Sequence, residues 1–164
     1  MNRLTPRTLA LVGWISCTGL MATALFFQFH EKLNPCPLCI SQRIAVILVG
    51  LVFLLTFIHN PGRRGMRRYA FAAILTALMG AAISARHVWI QHLPKDEVPA
   101  CGPGLSYMFQ YFPLTDTLKM MLSGTGDCAQ VDWVLLGLSM PAWVLTAFLG
   151  LALLAGLILK RSAD

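Results

Sequence analysis

Charge is what this chain of 164 residues most lacks: 12% of them are Asp, Glu, Lys or Arg, against 57% that are hydrophobic. A compact soluble domain carries about a quarter of its residues charged, so a water-soluble globule is excluded. Acid is the scarcer sign, with 7 Asp and Glu against 13 Lys and Arg and a formal net charge of +6. A basic excess can point to nucleic acid, but these bases lie between apolar runs and form no patch, so nucleic acid is not a partner. No repeat of fixed period appears, and 9 Pro and 13 Gly are scattered, which excludes collagen-like and low-complexity chains. Five cysteines remain as the unusual resource.

Four stretches, 9–29, 38–58, 69–90 and 141–159, are long and apolar. A helix rising 1.5 Å per residue needs about 20 residues to cross about 30 Å of hydrocarbon. The runs show no alternation, and in lipid only a helix satisfies its own backbone without a closed barrel. The expected fold is an all-α integral membrane protein, one membrane domain over 1–164 built as a four-helix transmembrane bundle. The apolar run from Trp133 to Met140 either packs on the membrane surface or lengthens the last span.

Basic residues collect on the cytoplasmic side because they are costly to translocate. Arg3, Arg7, Arg63, Arg64, Arg67, Arg68, Lys160 and Arg161 all fall on one side of the four spans, and Glu31, Asp96, Glu97, Asp116, Asp127 and Asp132 fall on the other. Both termini are therefore expected in the cytoplasm, with outward loops at about 28–37 and 91–140. A rival reading takes the first span as a secretory signal cut after Ala22-Thr23-Ala24. The apolar run continues through Leu25, Phe26 and Phe27, where a signal would turn polar.

Four of the five thiols face outward: Cys36 and Cys39 in Cys-Pro-Leu-Cys, and Cys101 and Cys128 in the long loop. Cys17 lies within the first span and reads as a packing residue. In an oxidising compartment such as a bacterial periplasm the outward cysteines can form disulfides, and four cysteines allow three pairings. Zinc would suit four thiolates, but the second pair is not spaced as a knuckle and the loop offers no tight pair of histidines. Haem attachment would need His after Cys39, where Ile40 stands. A non-enzymatic scaffold stapled by disulfides is the blander alternative, since a bridge from 101 to 128 would add about 3 to 4 kcal/mol.

A Cys-Pro-Leu-Cys ring is too small to constrain much chain, and small rings of this kind turn over more often than they staple. Cys39 sits where the second span begins, near the positive end of a helix, with Arg43 one turn later; both favour a thiolate. Arg43 is costly inside the apolar boundary unless it snorkels, pairs or serves a ligand. Arg86 and His87, near the end of the third span, lie at a similar depth. In the long loop, Leu114, Leu118, Met121 and Leu122 recur at helical spacing with Asp116 and Lys119 on other faces, a short helix able to lie in the interface. Gly102, Pro103, Gly104, Gly124 and Gly126 read as segments that keep Cys101 and Cys128 mobile.

Taken together, these residues resemble the DsbB family of disulfide bond formation proteins of bacterial inner membranes. The resemblance runs over nearly the whole chain: four spans, Cys-Pro-Leu-Cys followed by Arg43, one cysteine pair in the second loop, and Gly126-Asp127-Cys128-Ala129 leading through Trp133 to Gly137-Leu138-Ser139-Met140-Pro141-Ala142-Trp143. It implies a thiol:quinone oxidoreductase facing the periplasm, which reoxidises a soluble DsbA-like thiol oxidase and passes the electrons to ubiquinone or menaquinone. Cys101 and Cys128 would form the disulfide that meets the partner, with Cys101 forming the mixed disulfide. Cys36 and Cys39 would take the electrons, Cys39 would donate to quinone, and Arg43 would hold the quinone oxygen, with His87 close by. The resemblance implies no metal. Cys17 lies outside the pattern, and Gln42 supplies no carboxylate to pair with Arg43, leaving that guanidinium freer for the ligand or the headgroups. A related quinone-coupled enzyme with another thiol partner shares the same motifs.

Overall fold

The computed structural model describes residues 5–32, 35–94, 96–102, 105–131 and 133–162. Arg3, Pro103, Gly104 and Asp132 lie outside them. Four long helices are apolar enough to cross a membrane: α1 (Pro6–Phe29), α2 (Pro37–His59), α3 (Arg63–Gln91) and, closing the chain, α6 (Met140–Arg161). Each expected span falls inside one of them. Helix α3 starts earlier than the apolar run because its four arginines are sound helix formers whose long stems reach away from hydrocarbon.

The helix starts are locally encoded. Pro6, Pro37 and Pro141 sit in the first turns of α1, α2 and α6, where a missing N–H costs nothing and φ is already helical. Thr5 caps α1 by accepting the Thr8 N–H at 3.3 Å. Helix α2 ends on Asn60 at φ +38, a left-handed stop that Asn tolerates better than most residues.

Helices pack here through small residues, as lipid-embedded helices must when tails compete equally for apolar surface. Ala70, Ala73, Ala77, Gly80, Ala81 and Ser84 form one buried stripe along α3, and α6 makes the most extensive contact with that helix. A Cβ on Gly80 would stand 2.3 Å from the Phe148 ring, and one on Gly13 would stand 2.8 Å from Phe53. Both rings are buried in notches left by glycine. Cys17 belongs to this core, its Cβ 3.1 Å from where a Gly50 Cβ would lie, in keeping with a packing role. Phe71, Leu75, Leu78, Leu153 and Leu157 point outward, which suits lipid and not water. At the end far from the outward loops, Arg7 donates to the Phe57 carbonyl at 3.2 Å and lies over the Phe57 ring.

The long connection differs from the single short helix read from its spacing. Two helices form, α4 (Leu105–Tyr111) and α5 (Leu114–Ser123), divided at Pro113, which cannot continue α4 and instead precedes the first turn of α5. Helix α5 buries Thr117 and Met121 and leaves Leu114, Leu118 and Leu122 outward, so the apolar face is divided between the bundle and the surroundings. A short 3-10 turn (Gly126–Ala129) follows. The apolar run after Trp133 forms a small hairpin, β1 (Val134–Leu135) with β2 (Leu138–Ser139), turned by Leu136 at φ +53 and Gly137 at φ +80. Two positive φ values are what a tight hairpin needs, and Leu136 stands 85% exposed at the tip.

Candidate functional site

The site gathers where α2 begins and α3 ends. Cys36 is the N-cap of α2, and its sulfur accepts the Cys39 N–H at 3.3 Å. Cys36, rather than Cys39, therefore occupies the capping position at the positive helix end. The Cys36 thiol donates to the Cys39 sulfur across 3.0 Å, and none of the five cysteines is bonded to another. Helix α3 brings His87, whose Nε2 lies 3.7 Å from Cys36 Sγ.

Cys128 arrives from the long loop. It is fully buried in the 3-10 turn, with its N–H held by the Thr125 carbonyl at 2.9 Å. The ligand atoms of Cys36, His87 and Cys128 all lie within 4.8 Å of one another. A hydrogen bond from Cys36, helped by the Leu38 and Thr125 main-chain N–H groups and the Thr125 hydroxyl, holds the Cys128 thiol down to about 6 against burial. The Cys36 thiol is pushed up as the donor to Cys128 and Cys39, with burial adding to the shift. The shared hydrogen bond favours the thiolate at Cys128 and the proton at Cys36.

The glycines around Cys128 do not supply mobility. Gly124, at φ +81, sits where a Cβ would strike Ile90 and Leu38, and a Cβ on Gly126 would lie 2.5 Å from the Pro99 carbonyl and 3.1 Å from Cys101 Sγ. Gly126 also donates to the Ala100 carbonyl at 3.2 Å. Close approach is their function, and it brings exposed Cys101 against the turn that carries buried Cys128. Helix α5 is pinned beside the same site, its Met121 carbonyl accepting the Ser41 hydroxyl of α2 at 3.0 Å.

On the other side of Cys39 opens a cavity of about 1050 Å³. Cys39, Gln42, Arg43 and His87 give it a polar wall; Met21, Phe27, Val46, Trp133 and Val144 give it an apolar one. Gln42 supplies no carboxylate to Arg43, and the acceptors come from α1 instead. The Arg43 guanidinium donates to Gln28 Oε1 and, at 3.2 Å, to the Ala24 carbonyl, so α1 fixes its direction. Gln42 faces the other way, its amide 3.3 Å from His87 Nδ1. Arg43 and His87 thus meet at one cavity, whereas Arg86 is exposed on another face of α3. Sequence reasoning missed Gln28 and Trp133 as parts of this wall. Gln28 had a signal, being a lone amide at the end of an apolar span, and Trp133 had none before its hairpin was known.

The site's residues and the chain as a whole have clear relatives. The family model described as "Disulfide bond formation protein DsbB" matches residues 6–158. "Disulfide bond formation protein B" of Methylococcus capsulatus is 65% identical, covering 92% of each chain. The protein of the same name from Hahella chejuensis is 52% identical over 90% of this chain and 89% of its own, and that of Nitrosococcus oceani is 48% identical over 93% and 90%. With four apolar helices and four cysteines gathered at one end of them, the chain belongs to the DsbB family of disulfide bond formation membrane proteins.

Proposed function

We propose that this chain is a thiol:quinone oxidoreductase of the bacterial inner membrane, with both termini in the cytoplasm and its cysteines in the periplasm, which reoxidises a DsbA-like dithiol protein. The observation that carries it is the position of Cys36, with Cys39 at 3.0 Å on one side and Cys128 within 4.8 Å on the other. A sulfur so placed can exchange one disulfide partner for another with little movement.

In the oxidised protein, Cys101 pairs with Cys128 and Cys36 with Cys39. A partner thiolate attacks exposed Cys101 Sγ, the Cys101–Cys128 bond breaks, and Cys128 leaves as a thiolate. The main-chain N–H groups of Leu38 and Thr125 and the Thr125 hydroxyl, which do not depend on a Cys36 proton, favour this thiolate and make it a good leaving group. Cys128 then attacks Cys36, forming a Cys36–Cys128 bond and releasing Cys39 as a thiolate at the cavity wall. The partner's second thiolate attacks the partner sulfur of the mixed disulfide, freeing Cys101 and leaving the partner oxidised. Cys101 then retakes Cys128, so Cys36 and Cys39 hold the two electrons and the partner's two protons are released.

The cavity suits a planar, apolar carrier with polar edge oxygens. It joins an aromatic and aliphatic wall to a guanidinium whose direction α1 fixes. A quinone there supplies a two-electron, two-proton acceptor. Arg43 binds and orients it and places positive charge where negative charge develops. Trp133 and Phe27, in edge contact at 5.1 Å between ring centroids, help exclude water.

The test is reconstitution in quinone-containing lipid with a reduced DsbA-like partner. Turnover is expected, and Cys39→Ser or Cys101→Ser each abolishes it. Wild-type rates from either variant refute the scheme.

A further inference from the structure

Cys36, His87 and Cys128 belong to three elements, the cap of α2, the last turns of α3 and the 3-10 turn, yet their ligand atoms lie within 4.8 Å of one another. Spacing along the chain argued against a metal because the second cysteine pair is not spaced as a knuckle and the loop offers no tight pair of histidines. The fold supplies a histidine from α3 instead. Two thiolates and an imidazole are the donors that zinc and its heavier congeners prefer. A tetrahedral ion with bonds of about 2.3 Å to sulfur and about 2.0 Å to nitrogen holds these atoms roughly 3.5 to 3.8 Å apart. Cys36 Sγ and His87 Nε2 are already 3.7 Å apart, and Cys128 needs to close by no more than about 1 Å to meet the same geometry.

We infer that the reduced protein binds one zinc-class divalent cation between Cys36, His87 and Cys128. Gln42 already stands beside the ring, its amide nitrogen 3.3 Å from His87 Nδ1. Turning the amide over about its last bond exchanges nitrogen and oxygen in the same place, so the oxygen accepts the Nδ1 proton and leaves Nε2 as the donor atom, the usual support for a ligating histidine. Cys36 and His87 both border the cavity, so a fourth position stays open for water or for the Cys39 sulfur 3.0 Å from Cys36. On binding, Cys36 exchanges its proton for a bond to the cation, Cys128 binds as the thiolate, and no electrons move. A sulfur tied in a disulfide has no thiolate to offer, so the oxidised protein has no such site. The site rests on geometry alone. Its consequence, that the cation arrests turnover by holding the reduced state, rests on the exchange scheme proposed above.

The experiment titrates cadmium ion, alone, into the reduced full-length protein in detergent and follows the ultraviolet sulfur-to-cadmium charge-transfer band. One equivalent is expected to saturate the signal, and oxidised protein gives none. His87→Ala and Cys128→Ser each weaken binding by at least about tenfold, whereas Cys101→Ser leaves it unchanged. In wild type, bound cadmium protects Cys36 and Cys128 from alkylation, read by peptide mass, which keeps the question open to decision even if a variant misfolds. Unchanged affinity in His87→Ala or Cys128→Ser, or alkylation of Cys128 at full cadmium occupancy, overturns the inference. Cadmium binding in a protein that fails to oxidise a DsbA-like partner overturns the exchange scheme only; turnover without cadmium binding overturns the site only.

Discussion

Gln28 is expected to matter as much to the cavity as its lack of chemistry would deny. Its carbonyl oxygen and that of Ala24 are the acceptors α1 offers to the half-buried Arg43 guanidinium. Gln28→Leu keeps the size and removes one charge-assisted bond, a loss of about 1.5 to 3 kcal/mol when the charged partner stays buried. The Ala24 bond remains, so the lower half of that range applies. At 1.36 kcal/mol per decade this is roughly a thirteen- to forty-fivefold fall in kcat/KM for quinone. The assay follows quinone absorbance in nanodiscs at varied quinone with saturating reduced partner, then at varied partner with saturating quinone. The KM for the partner should not move, since Gln28 lies on the cavity side. Gln28→Glu restores the acceptor and with it the quinone KM, but its carboxylate offsets the guanidinium charge and leaves kcat low. If Gln28→Leu keeps quinone kcat/KM within about twofold while Arg43→Ala loses it, the orientation argument is wrong.

Three further outcomes follow from the packing and the sulfur cluster. Gly80→Ala places a Cβ 2.3 Å from the Phe148 ring, and overpacking of this kind costs about 1 to 3 kcal/mol; thermal unfolding in detergent should show the loss, and Phe148→Leu in the same background should recover part of it. Gly126→Ala drives the Pro99 to Cys101 segment away from the turn, so the partner step should slow while a pre-reduced protein still reduces quinone at the wild-type rate; equal losses in both steps would contradict this. In the reduced protein, the Cys128 thiolate should appear by ultraviolet absorbance with a midpoint near pH 6, and Cys36→Ala should move that midpoint up towards 9 by removing its main donor. Because folding lowers this thiol below the ordinary thiol value of 9.0, the stability it contributes is complete above about pH 9 and is lost as pH falls through about 6.

The spans and their order were legible because hydrocarbon imposes one rule on every residue of a run, so length and composition alone decide. The division at Pro113 was also written in the sequence, since a proline cannot continue the helix before it. What could not be read was anything that depends on which faces meet. Gly126 looked like slack in a loop, and only the approach of the Pro99 carbonyl shows it to be a tight fit. His87 carries no local pattern that ties it to Cys36, 51 residues earlier; the antiparallel course of α2 and α3 brings them together. Gln42 looked like a missing carboxylate for Arg43, yet it faces His87, and the partner of Arg43 comes from α1.

The two sulfurs of Cys-Pro-Leu-Cys are separated in role by one helical start. Cys36, as the cap, meets Cys128 and His87 at the cavity's edge, and Cys39, in the first turn, borders the same cavity beside Arg43. Pro37 makes this division firm, because its fixed φ sets the first helical residue directly after the cap. Inserting one residue between Cys39 and Arg43 would rotate the cysteine by about 100° around the helix relative to Arg43 and carry it off the cavity wall. The exchange proposed above needs the two sulfurs close enough to bond, with one of them in reach of Cys128 and the other beside Arg43. The cap and first turn of a helix at the membrane edge provide both conditions within four residues.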